Sequence, residues 1–249
     1  MTTESAYVRL RPTPQTRLRL FCFPHGGGGT SLFYGWKRHL PPTVEICPLH
    51  LPGREGRFRE RRHTNLTELA EEIAAAIAPC QDLPFAFLGY SLGGFVGFEV
   101  ARRLRSERLP SPVHYLIGAV RAPHVPNPHP PIYHLRDDAF IAALTSRYGP
   151  LHADPVQNAE LLRMFLPSLI ADVTMLETYV YEPEPPLPCP IAVFTGDADH
   201  STLPHEAAAW EEQTSEAFRL HTFAGGHFFL NENREEFLKT IMQELNSYL

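Results

Sequence analysis

The chain has 249 residues, of which 43% are hydrophobic and 20% are charged, values typical of one globular domain with a large core. Its net charge of −6, without any basic block, argues against a nucleic-acid partner. The segment Met1–Ala6 is polar and no long apolar run follows it, so we expect neither a signal peptide nor a membrane span, and a cytoplasmic location.

Strands and helices alternate along the chain. Apolar runs bounded by turn residues predict the strands Tyr7–Leu10, Leu18–Phe23, Val44–Leu49, Phe85–Leu88, Val113–Val120, Ile191–Thr195 and Phe218–Phe223. Helical periodicity predicts the helices Leu66–Ala78, Leu92–Leu104, Pro204–Gln213 and Glu235–Tyr248. This alternation is typical of an α/β fold with a mostly parallel, doubly wound sheet.

The four cysteines are scattered along the chain without a C-x-x-C pair. Cys22 and Cys47 lie in predicted strands, which favours buried free thiols. We therefore expect neither a disulfide framework nor a zinc site.

One connection departs from the alternation. Roughly seventy residues separate the strand that ends near Val120 from the strand that begins at Ile191, whereas α/β connections usually have about 2–6 residues. Proline-rich runs lie at both of its ends, and its apolar helical patterns cover Asp138–Ser146, Val156–Leu166 and Ser168–Tyr179. We interpret the connection as a helical lid inserted at about 123–190 into a single domain spanning 1–249. A purely structural insertion is the alternative.

The pentapeptide Gly89-Tyr90-Ser91-Leu92-Gly93 has the form G-x-S-x-G and lies between a predicted strand and a predicted helix. A serine in such a turn is held in a strained conformation with its hydroxyl exposed, and the flanking glycines leave room for the strand and the helix. Because glycines flank serines by chance in many loops, the strand–turn–helix context carries the interpretation of Ser91 as a nucleophile.

Two glycine-containing segments agree with this interpretation. The run Gly26–Gly29 follows the first strong strand, where it forms either a flexible turn or a backbone surface whose amides face a developing negative charge. His227 lies between Gly225-Gly226 and Phe228-Phe229, after the last predicted strand. It is either an ordinary half-buried loop residue or the base of a triad in the order Ser…Asp…His, and its place in that order favours the base.

Two aspartates after the strand Ile191–Thr195 compete for the acid position of such a triad. Asp197 lies directly at the strand end, where it can cap the turn. Asp199 lies further into the loop, where its carboxylate can turn back toward His227, and we favour it. We interpret the adjacent His200 as a solvated loop residue.

Longer segments surround these motifs: Phe21-Cys22-Phe23-Pro24-His25-Gly26-Gly27, Leu51-Pro52-Gly53-Arg54-Glu55-Gly56-Arg57, Gly89-Tyr90-Ser91-Leu92-Gly93-Gly94, Leu166-Pro167 through Ala171-Asp172 to Glu177-Thr178-Tyr179, and Gly225-Gly226-His227-Phe228-Phe229-Leu230. Through them, nearly the whole chain resembles the type II thioesterases, the stand-alone α/β-hydrolases that accompany polyketide synthases and nonribosomal peptide synthetases. The resemblance implies the α/β-hydrolase fold and a triad of Ser91, Asp199 and His227. It also implies an oxyanion hole formed by the backbone N–H groups of Gly26 and Leu92.

The sequence departs from the family pattern at several positions. Tyr90 and Leu92 stand where the family usually has histidine and methionine, and Gly26 stands where it usually has alanine. Ile170 and Val173 replace the arginine and phenylalanine that usually surround the lid aspartate. None of these changes removes a catalytic atom, but they bear on the shape of the acyl pocket, so we carry over no acyl preference.

The resemblance implies hydrolysis of acyl thioesters from the phosphopantetheine arms of acyl or peptidyl carrier domains, through an acyl-serine intermediate. Its role would be to remove aberrant or stalled acyl groups during polyketide or nonribosomal peptide biosynthesis. We expect no metal and no cofactor, since the partner carries the phosphopantetheine, and a monomer that contacts its carrier transiently. A small-molecule carboxylesterase or acyltransferase on the same fold, and a catalytically silent binding protein, are the alternatives.

Further side chains are candidates for contact with the substrate. Met164, Phe165 and Met175 in the predicted lid could line the acyl pocket, with buried lid packing as the alternative. Arg54 and Arg57 could contact a carrier's phosphate, although capping or ion pairs within the loop fit their sequence positions equally well.

Overall fold

The computed structural model describes residues 5–149 and 159–249. Its strands are β1 Leu18–Phe23, β2 Val44–Pro48, β3 Phe85–Tyr90, β4 Tyr115–Gly118, β5 Ile191–Gly196 and β6 Phe218–Phe223. They form one six-stranded sheet in the order β2-β1-β3-β4-β5-β6, and every neighbouring pair is parallel. The predicted α/β fold with a mostly parallel sheet is confirmed.

Helices connect and cover the strands. They are α1 Leu66–Ile77, α2 Leu92–Ser106, α3 Asp137–Tyr148, α4 Ala159–Thr178, α5 Pro204–Ala208, α6 Phe229–Glu232 and α7 Arg234–Leu245. Short 3-10 helices extend α5 to Gln213 and α7 to Tyr248. Among the residues described, no helix combines the length and the apolar character needed to cross a membrane.

Two apolar clusters cover the two faces of the sheet. Successive side chains of a strand point to opposite faces, and in β1 Leu20 packs into one cluster while Phe21 packs into the other. Helices α1 and α2 cover the face of Phe21, and α7 covers the face of Leu20. Because both faces are covered, β1, β3, β4 and β5 are buried along their whole length. The open edge at the carboxyl ends of these parallel strands is where such sheets bind ligands.

The predicted strand Tyr7–Leu10 is wrong. The segment forms only a single-residue bridge, although Tyr7, Val8 and Leu10 are buried in the core. Its backbone is held by individual hydrogen bonds such as that from the N–H of His50 to the carbonyl of Tyr7, at 2.9 Å. Packing against the core, rather than pairing within the sheet, therefore accounts for its apolar pattern.

The long connection between β4 and β5 contains α3 and α4. The sequence predicts two helices separated at Pro167, whereas α4 continues through this proline; residues 156–158 of the first predicted helix lie outside the described residues. An internal proline costs about 3 kcal/mol because a backbone hydrogen bond is lost. Leu166, Leu169 and Val173 of α4 are buried in a cluster with side chains of α3. Burying each such side chain contributes about 1.5–3 kcal/mol, so packing outweighs the cost of the proline.

All four cysteines are buried and free, in agreement with the prediction for Cys22 and Cys47. Burial raises the pKa of Cys189 to about 12 and holds the pKa of Cys47 well above its usual range. Because the thiolate is the reactive form, these buried thiols are poor nucleophiles near neutral pH.

His114 lies just before β4 and is buried, and neither of its ring nitrogens has a hydrogen-bond partner among the described residues. Burial lowers the pKa of His114 to about 4, even though Glu244 opposes the shift with an Oε2 atom 3.7 Å from Nε2. In the unfolded chain the histidine pKa is near 6.5. Between these two values the unfolded state binds more protons than the folded state, so stability rises with pH.

We therefore expect the free energy of unfolding to decrease as the pH falls from about 6.5 to about 4, and His114→Phe to remove this part of the decrease. Urea unfolding at several pH values across the window measures the effect, with His134→Phe at an exposed position as the control. An unchanged pH dependence in the His114 variant would assign the effect to another group.

Candidate active site

Ser91 occupies the turn between β3 and α2. Its backbone has φ 52° and ψ −119°, a conformation that costs energy for any residue with a side chain. The turn is tight, since a Cβ atom on Gly93 would lie 2.2 Å from the carbonyl oxygen of Phe23, and one on Gly89 would lie 2.4 Å from that of Gly93. The glycines thus allow strand and helix to meet, and Ser91 lines a cavity at the open edge of the sheet.

The three predicted triad side chains lie in one hydrogen-bonded row. His227 Nε2 is 3.0 Å from Ser91 Oγ, and His227 Nδ1 is 3.0 Å from Asp199 Oδ2. All three side chains are buried, although the residues come from three separate loops after β3, β5 and β6. In this arrangement an imidazole can take the proton of the serine while the carboxylate orients the ring.

Asp197 has a different place. It is exposed, and its carboxylate accepts a hydrogen bond from the N–H of Gly225 at 2.9 Å. This contact caps the turn, as one interpretation of the sequence suggested, whereas Asp199 is the aspartate that contacts His227. His200 is exposed, as interpreted.

Ser201 extends the row at its acidic end. Its N–H and its hydroxyl donate to Asp199 Oδ1 at 2.8 and 2.6 Å, and its Oγ lies 2.9 Å from His227 Nδ1. Burial raises the pKa of the Asp199 carboxyl, but the hydrogen bond and charge of His227, together with the bonds from Ser201, outweigh burial and hold this pKa below its usual range. Asp199 is therefore ionised at neutral pH. Sequence reasoning missed Ser201, although a serine two residues after an aspartate is a known turn pattern.

Two tyrosines position His227, and sequence reasoning missed both. The ring of Tyr148, at the end of α3, lies 4.7 Å from the His227 ring between centroids. The Tyr90 hydroxyl donates to the backbone carbonyl of His227 at 2.5 Å. The predicted lid helix ends at Ser146, before Tyr148, and no sequence pattern connects either tyrosine with position 227.

Gly26 and Leu92 line the same cavity as Ser91. The N–H of Leu92 is the first of α2, so it has no acceptor within its own helix. Gly26 follows β1, which pairs with β3 and thereby brings the glycine run beside the nucleophile. This arrangement agrees with the predicted oxyanion hole, whose role stays a prediction.

A small cavity lies over Ser91. Helices α3 and α4 provide half of its lining, through Leu144, Tyr148, Leu169, Asp172, Val173 and Leu176. Its volume is about 40 Å³, which holds no more than a few water molecules. The two helices therefore cover the nucleophile closely.

The predicted pocket residues Met164, Phe165 and Met175 do not line this cavity. Met164 is 45% exposed, Phe165 is half-buried, and Met175 is 2% exposed and packs in the core cluster shared with α1 and α2. We predicted these three side chains from their residue type. The residues of α4 that line the cavity instead recur at spacings of three and four, which place them on one face of the helix. Buried packing, the alternative interpretation, describes Met175.

Arg57 forms an ion pair within its own loop, whereas Arg54 forms one with Asp172 of α4, outside the loop. Arg54 binds both carboxylate oxygens of Asp172, at 2.7 and 2.8 Å. Arg57 binds Glu60 at 2.5 Å, and its guanidinium lies over the ring of Tyr7. These contacts favour ion pairing over direct contact with a carrier's phosphate.

The arrangement suits nucleophilic catalysis. A serine, an imidazole and an ionised carboxylate in this order can form and break an acyl-serine bond. The apolar lining of the cavity suits an acyl chain. Across residues 5–149 and 159–249, no three His, Cys, Asp or Glu side chains are grouped as metal ligands would be.

Comparison with known proteins agrees with this site. Residues 18–245 match the family described as Thioesterase domain. Gramicidin S biosynthesis protein GrsT from Aneurinibacillus migulanus is 37% identical over 243 residues, which cover 98% of this chain and 94% of GrsT.

Two solved structures are similar along almost the whole chain. RedJ, a thioesterase of the prodiginine biosynthetic pathway in Streptomyces coelicolor, has a TM-score of 0.86 and 35% identity, covering 94% of this chain and 89% of its own. BorB, the type II thioesterase of the borrelidin biosynthetic cluster, has a TM-score of 0.86 and 34% identity, with 98% of each chain covered. These similarities confirm the α/β-hydrolase fold, and the family match shows that the chain belongs to the thioesterase domain family.

Proposed function

We propose that this protein hydrolyses acyl thioesters carried on the phosphopantetheine arms of acyl or peptidyl carrier domains. Its role is to remove aberrant or stalled acyl groups in polyketide or nonribosomal peptide biosynthesis. The observation that carries the proposal is the buried row of Ser91, His227 and Asp199, with both hydrogen bonds at 3.0 Å, beneath an apolar cavity. The similarity to RedJ and BorB, a thioesterase of the prodiginine biosynthetic pathway and a type II thioesterase of the borrelidin biosynthetic cluster, supports the choice of a thioester substrate.

Acylation begins at Ser91. His227 Nε2 takes the Oγ proton as Oγ bonds to the thioester carbonyl carbon, and Asp199 stabilises the imidazolium that forms. The carbonyl oxygen becomes an oxyanion, which the N–H groups of Gly26 and Leu92 stabilise. When the C–S bond breaks, the pantetheine thiolate takes the proton from His227 and leaves as a thiol.

Deacylation repeats these steps with water. His227 removes a proton from a water molecule as its oxygen attacks the acyl-serine carbonyl, and the same amides stabilise the second oxyanion. When the ester C–O bond breaks, Ser91 Oγ takes the proton back and the carboxylic acid leaves. The reaction as proposed uses no metal and no cofactor of the protein's own.

Helices α3 and α4 act as a lid in this proposal. A cavity of about 40 Å³ is far smaller than the roughly 300–1,000 Å³ of typical ligand sites, so the side chains of these helices that line it must rearrange before an acyl chain can enter. Such a lid shields the acyl-enzyme from other nucleophiles. The protein works as a monomer and contacts its carrier only during a turnover.

The test compares one acyl group on three leaving groups: a carrier domain, coenzyme A and nitrophenol. We expect kcat/KM to be highest for the acyl-carrier, because the carrier domain adds contacts with the lid around the cavity entrance that the nucleotide of coenzyme A does not provide. Equal kcat/KM values for acyl-carrier and acyl-coenzyme A would remove the carrier from the proposal. A preference for the nitrophenyl ester would favour the esterase alternative, and failure of a fluorophosphonate to label Ser91 would favour a silent binding protein.

A further inference from the structure

We propose that Arg54 and Asp172 are positioning residues that hold the oxyanion loop, residues 25–29, in its working conformation. The pair connects this loop to α4, so the lid helix supplies part of the support for the oxyanion hole. The inference rests on the proposed thioesterase reaction, and it adds two buried charged residues that the triad mechanism does not use.

The oxyanion loop does not fix its own shape. Its four consecutive glycines impose little conformational preference. Gly27 has φ +75°, as the third residue of a type II turn requires, and the N–H of Gly28 donates to the carbonyl of His25 at 2.9 Å. Because the N–H and C=O of a trans peptide point in opposite directions, this bond directs the Gly26 N–H away from the turn. Within the loop, the His25 ring Nδ1 also lies 2.8 Å from the Gly26 carbonyl oxygen. The oxyanion hole thus depends on a glycine turn with few hydrogen bonds of its own.

One ion pair from outside the loop donates to and accepts from the backbone of this turn. Asp172 Oδ2 accepts a hydrogen bond from the N–H of Gly27 at 2.6 Å, and Arg54 Nη1 donates to the carbonyl of Gly28 at 2.9 Å. Arg54 also donates to Asp172 through two bonds, Nη1 to Oδ2 at 2.8 Å and Nη2 to Oδ1 at 2.7 Å. Two successive residues of the glycine run are therefore bound by charged groups that are themselves bound to each other.

Burial makes these bonds strong. The Arg54 and Asp172 side chains are 5% and 1% exposed, so water competes little for either group. Charge-assisted bonds of this two-pronged kind are stronger and more directional than neutral ones. The segment after the oxyanion loop has separate support, because the Glu55 carboxylate accepts bonds from the N–H groups of Thr30 and Ser31 at 3.0 and 2.9 Å. Loss of Asp172 should therefore loosen the glycine turn without releasing the segment that follows it.

The location of Asp172 on α4 couples the loop to the lid. Asp172 lines the cavity over Ser91, so any movement of α4 away from the site draws its carboxylate from Gly27. That movement would also leave the buried Arg54 guanidinium without its counter-charge, which is unfavourable. The structure thus favours one state in which α4 covers Ser91 and the oxyanion loop is held.

The same helix offers a matched control. Glu177, near the end of α4, is also 1% exposed and pairs with a buried arginine, Arg147, at 2.7 Å. Its carboxylate accepts hydrogen bonds from the N–H groups of Ile132 and Tyr133 in the lid connection, away from the oxyanion loop. Removing the charge of Glu177 therefore tests the stability of the lid without touching the glycine turn.

The experiment compares Asp172→Asn with Glu177→Gln. In Asp172→Asn the amide nitrogen faces donors in either orientation: Arg54 Nη2 in one, or both Arg54 Nη1 and the Gly27 N–H in the other. The two-pronged ion pair that holds the turn is therefore lost in both orientations. We expect kcat for acyl-carrier hydrolysis to fall about 10²-fold with little change in KM, as for loss of one oxyanion-hole donor. Glu177→Gln should keep kcat close to that of the natural chain, and thermal unfolding should show comparable losses of stability for both variants.

A second readout does not depend on turnover. Ser91 Oγ adds to the carbonyl carbon of an alkyl trifluoromethyl ketone and gives a hemiketal oxyanion, whereas the matched alkyl thioether, with CH2 in place of the carbonyl, binds without forming one. Asp172→Asn should weaken binding of the ketone about as much as it lowers kcat, and should leave binding of the thioether unchanged. If Asp172→Asn does not fold, Arg54→Lys replaces it, and this variant should also lower kcat and weaken binding of the ketone. Equal kcat losses in the Asp172 and Glu177 variants, or unchanged ketone binding, would overturn the positioning role. If the natural chain bound the ketone but did not hydrolyse acyl-carrier, the proposed function would fail while the positioning role could still be measured.

Discussion

Replacing Ser91 by alanine is expected to lower kcat for acyl-carrier hydrolysis by about 10⁶-fold, the loss seen when the nucleophile of a serine triad is removed. The reason is that Ser91 Oγ is the atom 3.0 Å from His227 Nε2, and Ser91 is the hydroxyl residue of the row that lines the cavity. Folding should be preserved, because alanine removes a single oxygen and adopts the same backbone conformation at no greater cost. Stopped-flow hydrolysis gives the rate, and thermal unfolding reports the fold.

Labelling supplies the control for this variant. The natural chain should react with a fluorophosphonate and the alanine variant should not, since the reagent forms its bond at the activated serine. Near-normal hydrolysis by the alanine variant would show that another residue is the nucleophile and that the proposed triad is wrong.

Asp199→Asn is expected to lower kcat by about 10⁴-fold, whereas Asp197→Asn should leave it within a few-fold of the natural chain. An amide in place of the Asp199 carboxylate can no longer balance the charge of the imidazolium, and it permits the wrong tautomer of His227. Asp197 contributes only the hydrogen bond that caps the turn at Gly225, and an amide at that position can still accept this bond. The two substitutions make the same chemical change two positions apart in one loop.

We therefore expect Asp199→Asn to lose activity and Asp197→Asn to keep it, whatever either substitution does to stability. Single-turnover hydrolysis of both variants measures the effect of losing the Asp199 carboxylate on kcat. Thermal unfolding of both variants measures the effect of weakening the turn on stability. If Asp197→Asn proved the more damaging change to kcat while both variants remained folded, the assignment of the acid would be wrong.

Local patterns predicted the sheet, and they picked out three side chains that lie in one hydrogen-bonded row. A strand, a tight turn and a helix lie consecutively around Ser91, so the elbow can be recognised from a short stretch of sequence. His227 and Asp199 follow their strands directly, and parallel strands bring the loops at their carboxyl ends to one edge. The order of the motifs along the chain was therefore enough to predict that Ser91, His227 and Asp199 lie close together.

Contacts between distant segments were harder to predict. Tyr148 reaches His227, and Asp172 reaches Gly27, because α3 and α4 lie over the carboxyl ends of the strands, and no periodicity within either helix encodes that position. Met175 has the chemistry of a pocket residue, but the rotation of α4 turns it into the core. The helix α4 was also hard to predict. Proline favours a break in a helix at Pro167, but burial of the α4 side chains against α3 outweighed that local preference.

The burial of every cysteine has a practical consequence for observing the lid. Cys22, Cys47, Cys80 and Cys189 are shielded from reagents and resist ionisation, so a thiol placed on the surface would react far ahead of them. Met164 on α4 is a suitable place, since its side chain already faces solvent. A fluorophore attached there, in a chain whose own cysteines need not be removed, would report in real time any movement of α4 when an acylated carrier domain is added.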